Sequence, residues 1–193
     1  MLKKALSLVF ALLLVIPVLA EAGGSVKGKV SVAGAKNSGD VVVYLEGPAA
    51  GAAPAKHPAL DQKNLIFVPH VLAVMVGSTV DFQNGDDVLH NIFSPSEAKT
   101  FNLGTYGKGT KKEVVFDKVG EVALLCNVHA EMSAYVIVVP NQFFATTGAD
   151  GSFSIDGVPA GSYTLKTWAD QKKPKTEKVT VTEGGAAAVN ISL

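Results

Sequence analysis

The chain contains no arginine, one cysteine and, after residue 22, no hydrophobic run long enough to cross a bilayer. Its cationic residues are all lysine, and 17 of them balance 17 acidic residues to a formal net charge of +0. Nothing in that balance supplies the basic face a phosphate backbone requires, so nucleic acid is excluded as a partner. One cysteine cannot close an intramolecular disulfide. It also falls short of the roughly four that an iron–sulfur cluster needs and of the thiolate pair that would bridge two copper ions. No G-x-S-x-G nucleophile motif is present, which removes the signature of a serine hydrolase. Helical periodicity is missing too after the first residues.

What is present begins with an export signal. Lys3 and Lys4 precede an apolar stretch from Ala5 to Ala20, interrupted only by Ser7 and Pro17, and Ala20-Glu21-Ala22 provides small residues for cleavage. About sixteen apolar residues fall short of the roughly 20 that span a membrane. The expected mature chain starts at Gly23, is periplasmic or secreted, and has no membrane anchor. Fifteen lysines and sixteen acidic residues remain in it. In an oxidising compartment an unpaired thiol is exposed to oxidation, and coordination to a metal would protect it.

The body of the chain reads as all-β. Val26, Gly28, Val30 and Val32 alternate with polar residues, and "DVVVYLEG" follows across a turn-rich link. "PAAGAAPAKHPA" is a linker without pattern. Strands are predicted near 65–68, 71–76, 78–83, 88–93, 112–117, 120–126 and 134–139. Beyond Pro140 the texture changes to tight turns, with Gly-Ala-Asp-Gly and Val-Pro-Ala-Gly framing the strand Ser152–Ile155. Strands so spaced imply β-sandwiches rather than βαβ units. A hairpin at 24–47 cannot stand alone in water. It belongs either with the central strands or with residues 141–193, and composition does not choose.

Chemistry concentrates in "LLCNVHAEM". Cys126, His129 and Met132 are spaced three apart, and His90 opens a strand after the polar turn "NGDDVL". Two loops at one end of a sandwich can aim these four side chains at one point. A thiolate, two imidazoles and a weak thioether are the trigonal His₂Cys set with a long axial Met that holds a single type 1 (blue) copper ion. Zinc prefers other partners to a thioether. Glu131 is an alternative axial donor.

The segment "IFVPHVLAVMVGSTVDFQNGDDVLHNIFS", with "CNVHAEM", resembles the cupredoxins over residues 60–140. The resemblance implies a Greek-key β-sandwich with His90, Cys126, His129 and Met132 as copper ligands. Plastocyanins space the second His and the Met more widely than the His-x-x-Met here, which is similar instead to the binuclear copper domains of cytochrome oxidases without their second Cys. The flanks "GSVKGKVSVAG…VVVYLEG" and "ATTGADGSFSIDGVPAGSYTLKTW" resemble the two ends of carboxypeptidase regulatory-like domains, small prealbumin-like sandwiches. The implied organisation is a signal peptide at 1–22, a discontinuous regulatory-like sandwich from 23–50 and 141–193, and a cupredoxin domain at 58–140. The combination is similar to the plastocyanin-like proteins named for methylamine utilization, although no residue here points to amine chemistry.

The expected function is one-electron transfer with a transient redox protein as partner, not enzymatic turnover, because protein donors fill all the copper positions. His90 is the inner imidazole and His129 the outer one. Asn91 is expected to tie the ligand loops together, and Leu89, Ile92, Phe93, Pro95 and Ala130 to form an apolar docking rim. The carboxylates Asp86 and Asp87 read as solvated turn residues, His57 as a solvated linker residue and His70 as structural. Two rival functions use the same sequence: a copper chaperone, store or sensor, and a glycan- or protein-binding module built on the flanking sandwich.

Overall fold

A computed structural model of the protein describes residues 23–193, so the leader reading at 1–22 lies outside the described residues. Among those described, every regular element is a strand, and no helix is long and apolar enough to cross a membrane. The strands β1 (Gly24–Ser31) and β2 (Val42–Glu46) come first. Nine follow: β3 (Ala59–Lys63), β4 (Ile66–Val68), β5 (Val71–Met75), β6 (Ser78–Asn84), β7 (His90–Ser94), β8 (Phe101–Tyr106), β9 (Lys111–Phe116), β10 (Gly120–Leu125) and β11 (Ser133–Val139). The chain ends in β12 (Phe144–Thr146), β13 (Ser152–Val158), β14 (Gly161–Trp168), β15 (Thr176–Val181) and β16 (Ala186–Ser192).

These strands form four sheets, ordered β13-β1-β16, β12-β2-β14-β15, β5-β11-β10-β7-β8 and β4-β3-β6-β9. The hairpin partners left open by composition are therefore the C-terminal strands: β1 pairs with β13 and β16, and β2 with β12 and β14. One core lies between the first two sheets, around Val26, Val30, Val43, Leu45, Phe153, Ile155 and Leu165. The other lies between the last two, around Leu60, Val80, Phe82, Ile92, Phe116, Leu124 and Val136. Two sandwiches result, each a pair of sheets closed on inward-facing alternate residues.

Residue chemistry explains several details. Gly28 sits where a Cβ would lie 1.6 Å from the carbonyl oxygen of Val189, so only glycine lets β1 and β16 pair. The run Val136–Val139 is buried throughout because both faces of β11 are covered. Val136 and Val138 enter the core of the second sandwich, whereas Ile137 and Val139 meet Val42 and Val71 in a third cluster between the sandwiches. Three strands have no counterpart in the sequence reading, the short β12 among them. β3 turns Leu60 and the polar Gln62 inward, so its alternation lacks the hydrophobic signal, and β8 is interrupted by Gly104 in the left-handed region.

Candidate metal centre

Strand periodicity brings the sulfur and imidazole donors together. Along β10, Val122 and Leu124 face the core, and Cys126 continues that phase one residue past the strand. Residues 126–132 then turn back to β11, with Leu125 opposite Ser133 and the Met132 N–H donating to the His129 carbonyl at 3.1 Å. Met132 is in phase with Ala134, Val136 and Val138 and is buried in the same core as Cys126, whereas Glu131 is exposed. On the neighbouring strand His90, Ile92 and Ser94 all turn inward, and β7 meets β10 at Phe93 and Leu125.

The ligating atoms of His90, Cys126 and His129 all lie within 4.8 Å of one another. The Nδ1 atoms of the two histidines face each other at 3.1 Å, with ring centroids 4.8 Å apart. Two imidazole nitrogens sharing an ion at about 2.0–2.1 Å would stand roughly 3.4 Å apart, so the observed spacing is close to that of a common metal. His90 and Cys126 are buried and His129 is half-buried. Cys126 is a free thiol.

Asp86 fixes which nitrogen of His90 faces this point. Its carboxylate accepts from His90 Nε2 at 2.9 Å and from the backbone N–H groups of Asn64 and Leu65 at 2.6 and 3.0 Å. Burial works to raise the Asp86 carboxyl pKa, but the donors from Leu65, His90 and Asn64 outweigh it and hold it below its ordinary value. With the Nε2 proton committed to Asp86, neutral His90 carries a lone pair on Nδ1, directed at Cys126 and His129. Asn84 supports the same turn: its Oδ1 accepts from the Asp86 N–H at 2.9 Å, and its amide donates to the Val88 and Tyr106 carbonyls at 3.0 and 2.9 Å.

Four sequence expectations require correction. Asp86 is not a solvated turn residue, although its neighbour Asp87 is exposed and pairs with Lys108 at 2.7 Å. Asn91 does not bridge the ligand loops, since its amide donates to Asn102 Oδ1 at 2.9 Å on β8. Ile92 is fully buried because the two-residue period puts it on the His90 face, and it is absent from the rim. His57 is not free in solvent but bonded to Asp81 at 2.8 Å. The exposed apolar residues that adjoin the donor histidines are Leu89 (58%), Val88, Val128 and Ala130; Phe93 is half-buried, and Pro95 is exposed past the end of β7 opposite His90, level with Ala123. His70 stays outside the donor group, bonded to the Ser133 carbonyl and set edge-on against Tyr135. Nothing in the sequence distinguished Asp86 except its place four residues before His90.

The family profile of the carboxypeptidase regulatory-like domain matches residues 130–193. Among solved structures, a purple cupredoxin from Nitrosopumilus maritimus is 26% identical, covering 42% of this chain and 99% of its own, with a TM-score of 0.39. A mutant of amicyanin in its Cu(I) form is 20% identical, with coverages of 50% and 98% and a TM-score of 0.41. The Cu-containing nitrite reductase of Thermus scotoductus SA-01 is 24% identical with a TM-score of 0.42. This chain covers 49% of its own length in that match and spans only 25% of the reductase. No curated protein matches the chain. The class defined by fold and site is an all-β protein of two sandwiches, one of them carrying a His–Cys–His group able to hold a metal. Of the combination the sequence resembles, the carboxypeptidase regulatory-like part is the one the family profile returns.

Proposed function

We propose that the protein is an exported electron carrier holding one type 1 copper ion at His90, Cys126, His129 and Met132. The observation carrying this reading is the convergence of two imidazole Nδ1 atoms on the single buried thiol, with the far nitrogen of His90 already engaged by Asp86. The donors fit the metal: a soft thiolate and two imidazoles suit copper, and the burial of Met132, against the exposure of Glu131, favours the thioether as axial donor. Bound copper would supply the one-electron couple.

The chain's own residues account for the rest. Asp86 orients His90 and places negative charge behind it. The inward phase of β7, β10 and β11 keeps water from Cys126 and Met132, so donors move little between redox states. His129 is the half-buried donor and stands among exposed Leu89, Val88, Val128 and Ala130, a rim suited to a transient redox partner of small contact area. Burial of the donors favours carriage over the exchange a copper chaperone requires, and a full set of protein donors favours carriage over catalysis. The proposed organisation is the cupredoxin domain at 58–140 inserted between the two parts of the regulatory-like sandwich, exported behind the 1–22 leader.

Adding Cu(II) to the apo-protein should produce an intense visible charge-transfer band that Cys126→Ser abolishes. A colourless product would overturn the reading. Rapid loss of the band to a chelator would assign the protein to copper handling instead.

A further inference from the structure

A second group of donors converges on the opposite sheet. In β6, Val80 and Phe82 face the core, so Asp81 faces outward. The β6–β9 register sets Asp81 directly across from Glu113. Two carboxylates so placed repel each other and need a cation. Lys111, two residues before Glu113 on the same strand face, supplies one: its ammonium lies 3.0 Å from Asp81 Oδ2 and 2.9 Å from Glu113 Oε1. The linker adds an imidazole. Asp81 N–H donates to the Pro58 carbonyl at 2.9 Å, and His57 Nδ1 lies 2.8 Å from Asp81 Oδ1. The donor atoms of His57, Asp81 and Glu113 all fall within 4.8 Å of one another.

We propose that His57, Asp81 and Glu113 form a second metal site, for a borderline divalent cation of the zinc(II) class, in which Lys111 is the resident cation that the metal displaces. One imidazole and two carboxylates are a zinc-type set, whereas calcium and magnesium take oxygen donors. Donors at about 2.0–2.2 Å from zinc stand roughly 3.4 Å apart, so modest side-chain rotations close the group from its present spacing. Lys111 is 46% exposed and can swing its ammonium into water, a small loss because exposed ion pairs contribute little. The His57 side chain is 34% exposed and that of Glu113 47%, leaving room for water to complete the coordination. Bound metal would fasten the linker before β3, the segment that joins the two sandwiches, to the face of β6.

The site is independent of the copper reading, and the test keeps the two apart. Zinc(II) is titrated calorimetrically into the copper-treated full-length protein and its variants. One zinc per chain is expected. His57→Ala should weaken binding by more than about tenfold, the loss that even an outer partner of a ligand causes. Lys111→Met should tighten it by about fivefold, since the metal then has no ion pairs to break, each worth up to about 1 kcal/mol. His57 lies on a linker and Lys111 on an exposed strand face, so neither change threatens the fold. The proposal is overturned if no zinc binds, if His57→Ala leaves binding unchanged, or if Lys111→Met leaves it unchanged or weaker. Zinc held at the Cys126 group instead would be indifferent to both substitutions, and so would overturn it too.

Discussion

Asp86 shows how much one side chain decides here. Its carboxylate accepts from His90 and from two backbone N–H groups of the Asn64–Leu65 turn, so it sets both the tautomer of a buried donor and the position of a hairpin tip. An anion behind a ligating imidazole strengthens that donor and favours the higher charge on a bound ion. Asp86→Asn should therefore raise the reduction potential of the copper-loaded protein, by about 60 mV if the preference between oxidation states changes tenfold in a one-electron couple. Protein-film voltammetry measures it, and an unchanged or lowered potential would remove Asp86 from the tuning of the site. The proposed donors and the residue that positions one of them were not equally legible. Cys126, His90, His129 and Met132 stood out through scarcity and spacing. Asp86 looked the same as Asp87, because the bonds that separate them come from residues more than twenty positions earlier in the chain.

Elements were legible where one face meets a core and the other meets water. The seven central strands expected from alternation are present, with boundaries moved by a residue or two. β3 and β8 were not legible: Gln62 takes a core position as a buried amide, and Gly104 breaks the pattern of β8. The β3–β4 connection also carries strain. Asn64 and Leu65 both have positive φ, 56° and 60°, as a tight hairpin turn requires, yet Leu65 is a branched, 49% exposed residue in a conformation that suits glycine. The left-handed region costs an L-residue about 1–2 kcal/mol, and glycine gives back about 0.5–1 kcal/mol through its freer unfolded chain. Leu65→Gly is thus expected to stabilise the protein by about 0.5–1 kcal/mol. A higher urea midpoint with an unchanged slope would show it; a lower midpoint would mean that Leu65 makes contacts worth more than the strain.

At the scale of the whole molecule, the two sandwiches are joined by more than the chain. Val42, Val71, Ile137 and Val139 form a buried cluster between them, flanked by Tyr135 and Trp168 with ring centroids 5.0 Å apart. Two charged acceptors complete the contact: the Tyr135 hydroxyl donates to Asp170 at 2.9 Å, and the Trp168 indole N–H to Glu121 at 2.8 Å. This contact was hidden in the sequence because each partner strand looked like an ordinary two-sided strand, and Tyr135 and Trp168 lie far apart in the chain. Burial, followed by the hydrogen bond to Asp170 and the negative charges of Asp170 and Glu121, pushes the Tyr135 phenol up to about 12. The unfolded phenol ionises near 10. Between those values the unfolded chain has released a proton that the folded one retains, so stability falls as pH rises. The contribution is complete below about pH 10 and lost by about pH 12. Tyr135→Phe should cost about 1 kcal/mol at neutral pH, the value of a partly exposed hydrogen bond, and should make the alkaline fall shallower. Trp168 is the chain's only tryptophan and sits against Tyr135, so its fluorescence reports the contact directly. An alkaline fall equally steep in Tyr135→Phe would mean that other tyrosines, such as buried Tyr106 with its raised pKa, carry the effect alone.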